Sequence, residues 1–164
     1  MQWQDVIDNP YLRNLPFKIE LNRWGKVEMS PANNRHALLQ SRLAQMLRAA
    51  MGCGETLTEA SIQTSNGVRV PDVVWASDGF LDRHGEETPF SRAPEICVEV
   101  VSPSNARGEM LEKIALYLEA GAREVWLVTD AAALEIQDRE GVRATSSLIP
   151  DAPQRVAGLA QKTR

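Results

Sequence analysis

PEICVEVVS, residues 94–102, is the most informative segment of this sequence for the architecture of the chain. It is short, almost continuously apolar and rich in β-branched residues, which indicates a strand buried on both faces in the middle of a sheet. Glu99 interrupts the apolar run and shares a strand face with Glu95, Cys97 and Val101, because side chains at i and i+2 point the same way. A carboxylate in such a strand needs a cation, several hydrogen bonds or a proton to offset its burial. Glu99 is therefore a candidate site residue.

A second carboxylate, Asp72, lies in an equally apolar part of the stretch ETLTEASIQTSNGVRVPDVVWAS, residues 55–77. This stretch is rich in Thr, Val and Ile and is broken by SNG, so it predicts two antiparallel strands with Asp72 on the second. Pro71 lacks an N–H group, which favours a strand edge or a bend beside Asp72. If the strands of Asp72 and Glu99 are neighbours, the two carboxylates with waters and substrate phosphates form a typical Mg²⁺ site.

Helices are predicted on both sides of these strands. Residues 33–54, NNRHALLQSRLAQMLRAAMGCG, place Leu and Met on one helical stripe after an Asn cap, and Gly52 or Gly54 can end the helix. Residues 102–121, SPSNARGEMLEKIALYLEAG, predict a second helix. Its candidate caps are Ser104 or Asn105 at the start and Gly121 at the end.

The remaining segments complete an α/β fold. REVWLVTD, residues 123–130, follows a helix and predicts a strand parallel to a neighbour. FKIELNRWGKVEMSP, residues 17–31, and LEIQDREGVRATSSLI, residues 134–149, each predict a β-hairpin. We therefore expect one domain over residues 1–164, with a central mixed β-sheet flanked by helices and a hairpin at each end.

Lys113 lies on the second predicted helix, one turn from Met110 and from Tyr117. This places it at the margin of the apolar stripe, where a long side chain can extend toward the sheet. Val101 leaves the face of Glu99 without a cation of its own. We therefore expect the Lys113 ammonium to reach the space beside Glu99.

Four stretches together resemble a known family: ELNRWGKVEMSP (20–31), PDVVW (71–75), EVVSPSN (99–105) and EKIALYLEAGAREVWLV (112–128). They resemble the Uma-two restriction-endonuclease family, bacterial relatives of the PD-(D/E)XK nucleases, from about residue 17 to residue 140. The resemblance implies a restriction-endonuclease-like core and Mg²⁺-dependent hydrolysis of phosphodiester bonds.

The resemblance also implies roles for particular residues. Asp72 and Glu99 would hold Mg²⁺, with Mn²⁺ as the alternative ion, and Lys113 would orient the attacking water or stabilise transition-state charge. Glu20 would ligate a second ion or orient a water, and His36 would contact a phosphate or relay a proton.

Two positions depart from the pattern that the resemblance implies. Val101 stands where the wider nuclease superfamily carries its Lys, two residues after the Glu. Lys113, Tyr117 and Gly121 fit the family arrangement that moves the Lys to the next helix, while Glu109 replaces a frequent Asp.

Each candidate residue also has a purely structural interpretation. Three of the alternatives are ion pairs: Glu20 with Lys18 or Lys26, Glu99 with an Arg such as Arg107, and Lys113 with Glu109 on the helix surface. The other two are a packing role for His36 and a hydrogen-bond acceptor role for Asp72 in a turn after Pro71.

The leading functional prediction is a Mg²⁺-dependent endonuclease acting on DNA. The alternatives are a catalytically inactive nuclease-fold protein that binds nucleic acid or a protein partner, and a phosphodiesterase or phosphatase acting on small molecules. A net charge of −4 disfavours a broadly basic nucleic-acid binder but allows a local phosphate site beside metal-bound carboxylates. Apolar runs too short for a membrane span predict a cytoplasmic protein, and the nuclease resemblance suggests a homodimer.

Overall fold

The computed structural model describes residues 1–13, 15, 17–31, 33–102 and 105–160, with Pro31 and Ala160 described by their backbones alone. The helices are α1 (Trp3–Asp8), α2 (Asn34–Met51), α3 (Asp78–His84), α4 (Arg107–Ala120) and α5 (Ala152–Ala160). The strands are β1 (Phe17–Leu21), β2 (Val27–Pro31), β3 (Glu55–Thr58), β4 (Ile62–Thr64), β5 (Gly67–Arg69), β6 (Val73–Ala76), β7 (Ile96–Val101), β8 (Glu124–Thr129), β9 (Leu134–Asp138) and β10 (Gly141–Arg143). Among these described helices, none has the length and apolarity to cross a lipid bilayer.

The larger sheet has six strands in the order β10-β9-β8-β7-β6-β3. Strand β7 is parallel to β8 and antiparallel to β6. The pairs β8–β9, β9–β10 and β3–β6 are also antiparallel. The sheet is therefore mixed, and the strand that carries Glu99 lies in its interior. Both features were predicted from the apolar run around Glu99 and from the helix that precedes β8.

The predicted pair of strands in residues 55–77 is wrong, because this stretch forms four strands, β3 to β6. After β3 the chain turns at Glu59, which has a φ of +55°, and leaves the six-stranded sheet. Strands β4 and β5 then join a second sheet in the order β2-β1-β5-β4. The chain returns after Pro71, so Asp72 lies directly before β6 rather than within it.

Helices cover both faces of the six-stranded sheet. Alternation along β7 directs Ile96, Val98 and Val100 into one core with α2 and α5, while Cys97 lies in the opposite core with α3 and α4. Glu99 has the same parity as Cys97, so it also points toward α4. The predicted central mixed sheet with flanking helices and a hairpin at each end of the core is confirmed.

The ends of the helices follow the sequence in one case and depart from it in another. Asn33 caps α2 by accepting a hydrogen bond from the His36 N–H group (2.8 Å), and Gly52 ends the helix with a φ of +67°. The N-cap of α4 is Ala106 rather than Asn105, because the Asn105 side chain accepts hydrogen bonds from the Ser102 backbone and hydroxyl instead. The other predicted cap, Ser104, lies outside the described residues.

Candidate active site

Asp72 is fixed in place by backbone groups of neighbouring elements. Its N–H group donates to the Val98 carbonyl (3.0 Å), and its Oδ2 accepts from the Val100 N–H group (2.7 Å), so it is tied to β7 at two points. The Asp72 carbonyl accepts a hydrogen bond from Gln40 Nε2 of α2 (2.9 Å). The residue before β6 therefore lies against the centre of the six-stranded sheet, as the predicted juxtaposition of Asp72 and Glu99 requires.

Glu99 is held from the side of α4. Its Oε1 accepts hydrogen bonds from the Tyr117 hydroxyl (2.7 Å) and from Lys113 Nζ (3.2 Å). The predicted reach of the Lys113 ammonium to Glu99 is thus present. The alternative ion pairs are wrong: Arg107 contacts Glu135 rather than Glu99, and the partners of Lys113 are Glu99 and a second carboxylate rather than Glu109.

That second carboxylate belongs to Glu20 on β1. Glu20 Oε1 accepts hydrogen bonds from Lys113 Nζ (3.1 Å) and from the Val70 N–H group (2.9 Å). Arg69 lies 3.6 Å from Glu20 Oε2. Lys113 and Arg69 are therefore the ion-pair partners of Glu20, and the predicted pair with Lys18 or Lys26 of the hairpin is wrong. Lys113 links β1 to β7 because it contacts a carboxylate on each strand.

Lys18 also belongs to the cluster, although its sequence context suggested only an ion pair with Glu20. Its Nζ lies 2.7 Å from Asp72 Oδ1 and 3.5 Å from Glu99 Oε2. A signal for this position exists in the sequence, because Lys18 and Glu20 are two residues apart on β1 and share a face of the strand.

His36 completes the cluster from the first turn of α2. Its Nε2 lies 3.2 Å from Asp72 Oδ1. The hydrogen bond to Asp72 raises the pKa of His36, although partial burial acts in the opposite direction. All five residues proposed from the sequence thus lie in one connected cluster, together with Lys18 and Tyr117.

The two central carboxyl groups experience opposite pKa shifts. Burial alone would raise the pKa of Asp72, but the hydrogen bond with His36 and the adjacent Lys18 ammonium hold it well below its usual range. Burial raises the pKa of Glu99 despite the nearby ammonium groups of Lys113 and Lys18. Carboxyl groups whose environments separate their pKa values in this way are frequent in active sites.

Three of the buried charged residues, Asp72, Glu99 and Lys113, line an open cavity. Residues Glu20, Asp72, Glu99 and Lys113 are only 8%, 2%, 3% and 8% exposed. The cavity of about 520 Å³ is bordered by Lys18, His36, Asp72, Glu99, Lys113 and Asn105. Its volume is in the range of small-ligand sites. A substrate group can therefore approach the carboxylates from this side.

The donor chemistry of the site fits a hard divalent cation. Asp72 Oδ1 and Glu99 Oε2 are bridged by the Lys18 ammonium, a positive group that already lies between the two oxygens. Within the described part of the chain, no group of three or more His, Cys, Asp or Glu side chains is arranged around a single metal position. Two carboxylate oxygens beside an open cavity can hold a divalent cation whose remaining ligands are water and substrate oxygens.

Comparisons with known proteins identify the family and the fold of this chain. The profile of the Uma2 family, described as "Putative restriction endonuclease", matches residues 3–156. The chain is similar in structure to a protein from Anabaena variabilis ATCC 29413 whose description reads "putative nuclease belonging to DUF820", with a TM-score of 0.75 over 98% of this chain and 99% of that chain. The identity of 15% means that this similarity shows the fold alone. Comparison with curated proteins gave no match.

Proposed function

This chain belongs to the Uma2 family of restriction-endonuclease-like proteins, and on that premise we propose that it hydrolyses phosphodiester bonds of DNA with Mg²⁺ held by Asp72 and Glu99. One observation carries the proposal. Asp72 Oδ1 and Glu99 Oε2 converge on a single cation at the edge of an open cavity, while the other oxygen of each carboxylate is bonded to the protein.

The carboxylates have the properties required of ligands for a hard cation. Val100 holds Asp72 Oδ2, and Tyr117 with Lys113 holds Glu99 Oε1, so Asp72 Oδ1 and Glu99 Oε2 keep a fixed orientation toward the cavity. Such fixed orientation is what outer hydrogen-bond partners provide to metal ligands. When bound, Mg²⁺ would polarise a phosphoryl oxygen and lower the pKa of a coordinated water.

Lys113 would act on the substrate as well as on Glu99. An ammonium group has three N–H donors, and two of them meet Glu20 and Glu99. The third donor is left for a phosphate oxygen or for the attacking water, since Lys113 borders the cavity. Glu20 would hold this ammonium in position, because its Oε1 accepts one of the three N–H donors and is itself fixed by the Val70 N–H group.

His36 would bind a non-bridging phosphate oxygen or relay a proton. The contact with Asp72 raises its pKa, which increases the fraction of positively charged imidazole near neutral pH. A positive imidazole at the mouth of the cavity favours an anionic substrate. The expected contacts are with the sugar-phosphate backbone, so we expect little dependence of binding on base sequence.

The experiment is cleavage of supercoiled plasmid and of single- and double-stranded oligonucleotides, in Mg²⁺ or in EDTA. We compare the wild type with Asp72→Asn and Glu99→Gln, which remove a charge and keep the shape. Glu86→Gln is the matched control, because Glu86 is exposed and lies outside the cluster. Cleavage that needs Mg²⁺, disappears in the two site variants and persists in the control is the expected result.

A folded wild-type protein that cuts none of these substrates in Mg²⁺ or Mn²⁺ would refute the proposal. An RNA oligonucleotide and a small phosphodiester in the same panel test the choice of DNA. Binding of DNA without cleavage, measured by gel shift, would instead identify the non-catalytic nuclease-fold alternative.

A further inference from the structure

Lys18 contacts the same two oxygen atoms that a metal ion would use. Asp72 Oδ2 is occupied by the Val100 N–H group, and Glu99 Oε1 is occupied by Tyr117 and Lys113. The remaining oxygens, Asp72 Oδ1 and Glu99 Oε2, lie 2.7 Å and 3.5 Å from Lys18 Nζ.

The Lys18 side chain is held in this position rather than extended into water. It is only 15% exposed, which is unusual for a lysine on a short strand next to a cavity. The charges of Asp72 and Glu99 offset the cost of removing its ammonium from water. An exposed rotamer would lose both contacts and would remove the ammonium that bridges Asp72 Oδ1 and Glu99 Oε2.

We propose that Lys18 is an internal cation that holds the Asp72–Glu99 pair in the metal-free protein and that must leave these oxygens when a divalent ion binds. Lys18 therefore competes with the ion, and the metal affinity of the site is lower than the carboxylates alone would give. This inference rests on the proposed metal site and adds a residue that tunes it.

The competition follows from distance and charge. Mg²⁺ binds oxygen at about 2.0–2.1 Å, closer than the ammonium nitrogen. An ion between Asp72 Oδ1 and Glu99 Oε2 would be within a few ångström of Lys18 Nζ, where two positive charges repel strongly in a partly buried site. The ammonium and the ion cannot share this position, and the displaced side chain remains at the cavity that receives the substrate phosphate.

The first experiment measures Mn²⁺ binding by calorimetry in the absence of DNA. Lys18→Met keeps much of the apolar stem and removes the charge, so we expect Mn²⁺ to bind about tenfold more tightly than to the wild type, equivalent to about 1.4 kcal/mol. Lys18→Arg keeps the positive charge and should bind no more tightly than the wild type. Lys26→Met is the control, because Lys26 is an exposed lysine of the same hairpin, and its affinity should be unchanged.

A Lys18→Met variant with wild-type or weaker Mn²⁺ affinity would overturn the inference and leave the metal site in place. Absence of Mn²⁺ binding in both the wild type and Lys18→Met would overturn the inference and the metal site together. The two failures are therefore distinguishable.

The second experiment uses the wild-type protein and does not depend on how well a variant folds. Lysine acetylation by a brief pulse of reagent is measured by mass spectrometry with and without saturating Mn²⁺. We expect modification of Lys18 to rise severalfold with Mn²⁺, because the ion displaces its ammonium, while modification of Lys26 stays constant. Equal or lower modification of Lys18 in Mn²⁺ would contradict the displacement.

Discussion

Lys113→Met tests the ion-pair network that supports the candidate site. Lys113 Nζ lies 3.1 Å from Glu20 Oε1 and 3.2 Å from Glu99 Oε1, and all three residues are buried. Methionine has a similar length but no charge. The variant therefore leaves two buried carboxylates without their shared ammonium, which is a different defect from a loss of packing.

The expected cost is large on the scale of protein stability. Removing one partner of a buried ion pair typically costs about 3–5 kcal/mol, because the remaining charge stays buried without compensation. Lys113 serves two carboxylates, but each keeps other partners. Tyr117 and Lys18 still contact Glu99, and Val70 and Arg69 still contact Glu20, so we expect about 3–5 kcal/mol rather than twice that loss. A domain of this size has a total stability of only about 5–15 kcal/mol.

The assay is guanidinium unfolding at pH 7 in EDTA, so that metal binding does not contribute. Lys26→Met is the matched control, and a change within about 0.5 kcal/mol is expected for that exposed lysine. The double variant Glu20→Gln/Lys113→Met should recover part of the loss, since one of the two carboxylates that lost this ammonium is replaced by a neutral amide. A Lys113→Met loss below about 1 kcal/mol, well under the usual cost of breaking a buried pair, would show that the network does not support the site.

Three further changes test other parts of the structure. Tyr117→Phe removes a 2.7 Å hydrogen bond to the buried Glu99 carboxyl group, and we expect a loss of about 1–3 kcal/mol in guanidinium unfolding because a buried oxygen loses its partner. Burial would raise the pKa of Glu124, but hydrogen bonds from nearby hydroxyl and indole groups outweigh it and lower that pKa. The ionised Glu124 side chain therefore stabilises the fold fully above its pKa in the unfolded chain, about 4.3, and this stabilisation is lost as the pH falls through its pKa in the folded protein. We expect the wild type to unfold at a higher denaturant concentration than Glu124→Gln at pH 7, and we expect this difference to shrink in acid. Gly67→Ala should lower the free energy of unfolding by about 1–3 kcal/mol because of its φ of +84° alone. The loss should be larger still because the new Cβ would lie 2.0 Å from the Leu21 carbonyl oxygen, and thermal unfolding measures it.

Matched controls exist for two of these changes. Tyr11 is 87% exposed, so Tyr11→Phe should leave stability unchanged, and an equal loss in Tyr11→Phe and Tyr117→Phe would contradict the buried hydrogen bond. An added Cβ at Gly108 meets no atom within 4 Å, so Gly108→Ala should be neutral or stabilising by up to about 1 kcal/mol. A Gly67→Ala variant as stable as the wild type would rule out the close approach at Leu21. A stability difference between the wild type and Glu124→Gln that is the same at pH 7 and pH 3 would rule out the lowered pKa of Glu124.

The elements with strong local patterns were predictable from the sequence. The leucine stripe of residues 33–54 gave α2 with its Asn33 cap and Gly52 end, and the apolar run around Glu99 gave an interior strand. The path of residues 55–77 was not predictable, because each strand in it has only three or four residues and the transfer between sheets depends on tertiary contacts. Propensity and alternation describe a strand but do not identify its partner.

The candidate site was predictable from carboxylates in apolar strands and from the family resemblance. Asp72, Glu99, Lys113, Glu20 and His36 all lie in the cluster, while their chemical roles stay predictions. Lys18 was missed because a lysine in a hairpin is usually solvated, and its burial depends on how the two sheets meet. Its spacing from Glu20 was the available signal, but spacing alone does not show what faces the strand.

The site residues come from both sheets and are far apart in the sequence, so the site can form only after most of them have been synthesised. The contacts of Lys18 with Asp72 and with Glu99 span 54 and 81 positions, and the contact of Glu20 with Lys113 spans 93. Contacts between such distant positions form late, because a long loop must close first. A nascent chain on the ribosome therefore cannot complete the ion-pair network until α4, which carries Lys113, has been synthesised.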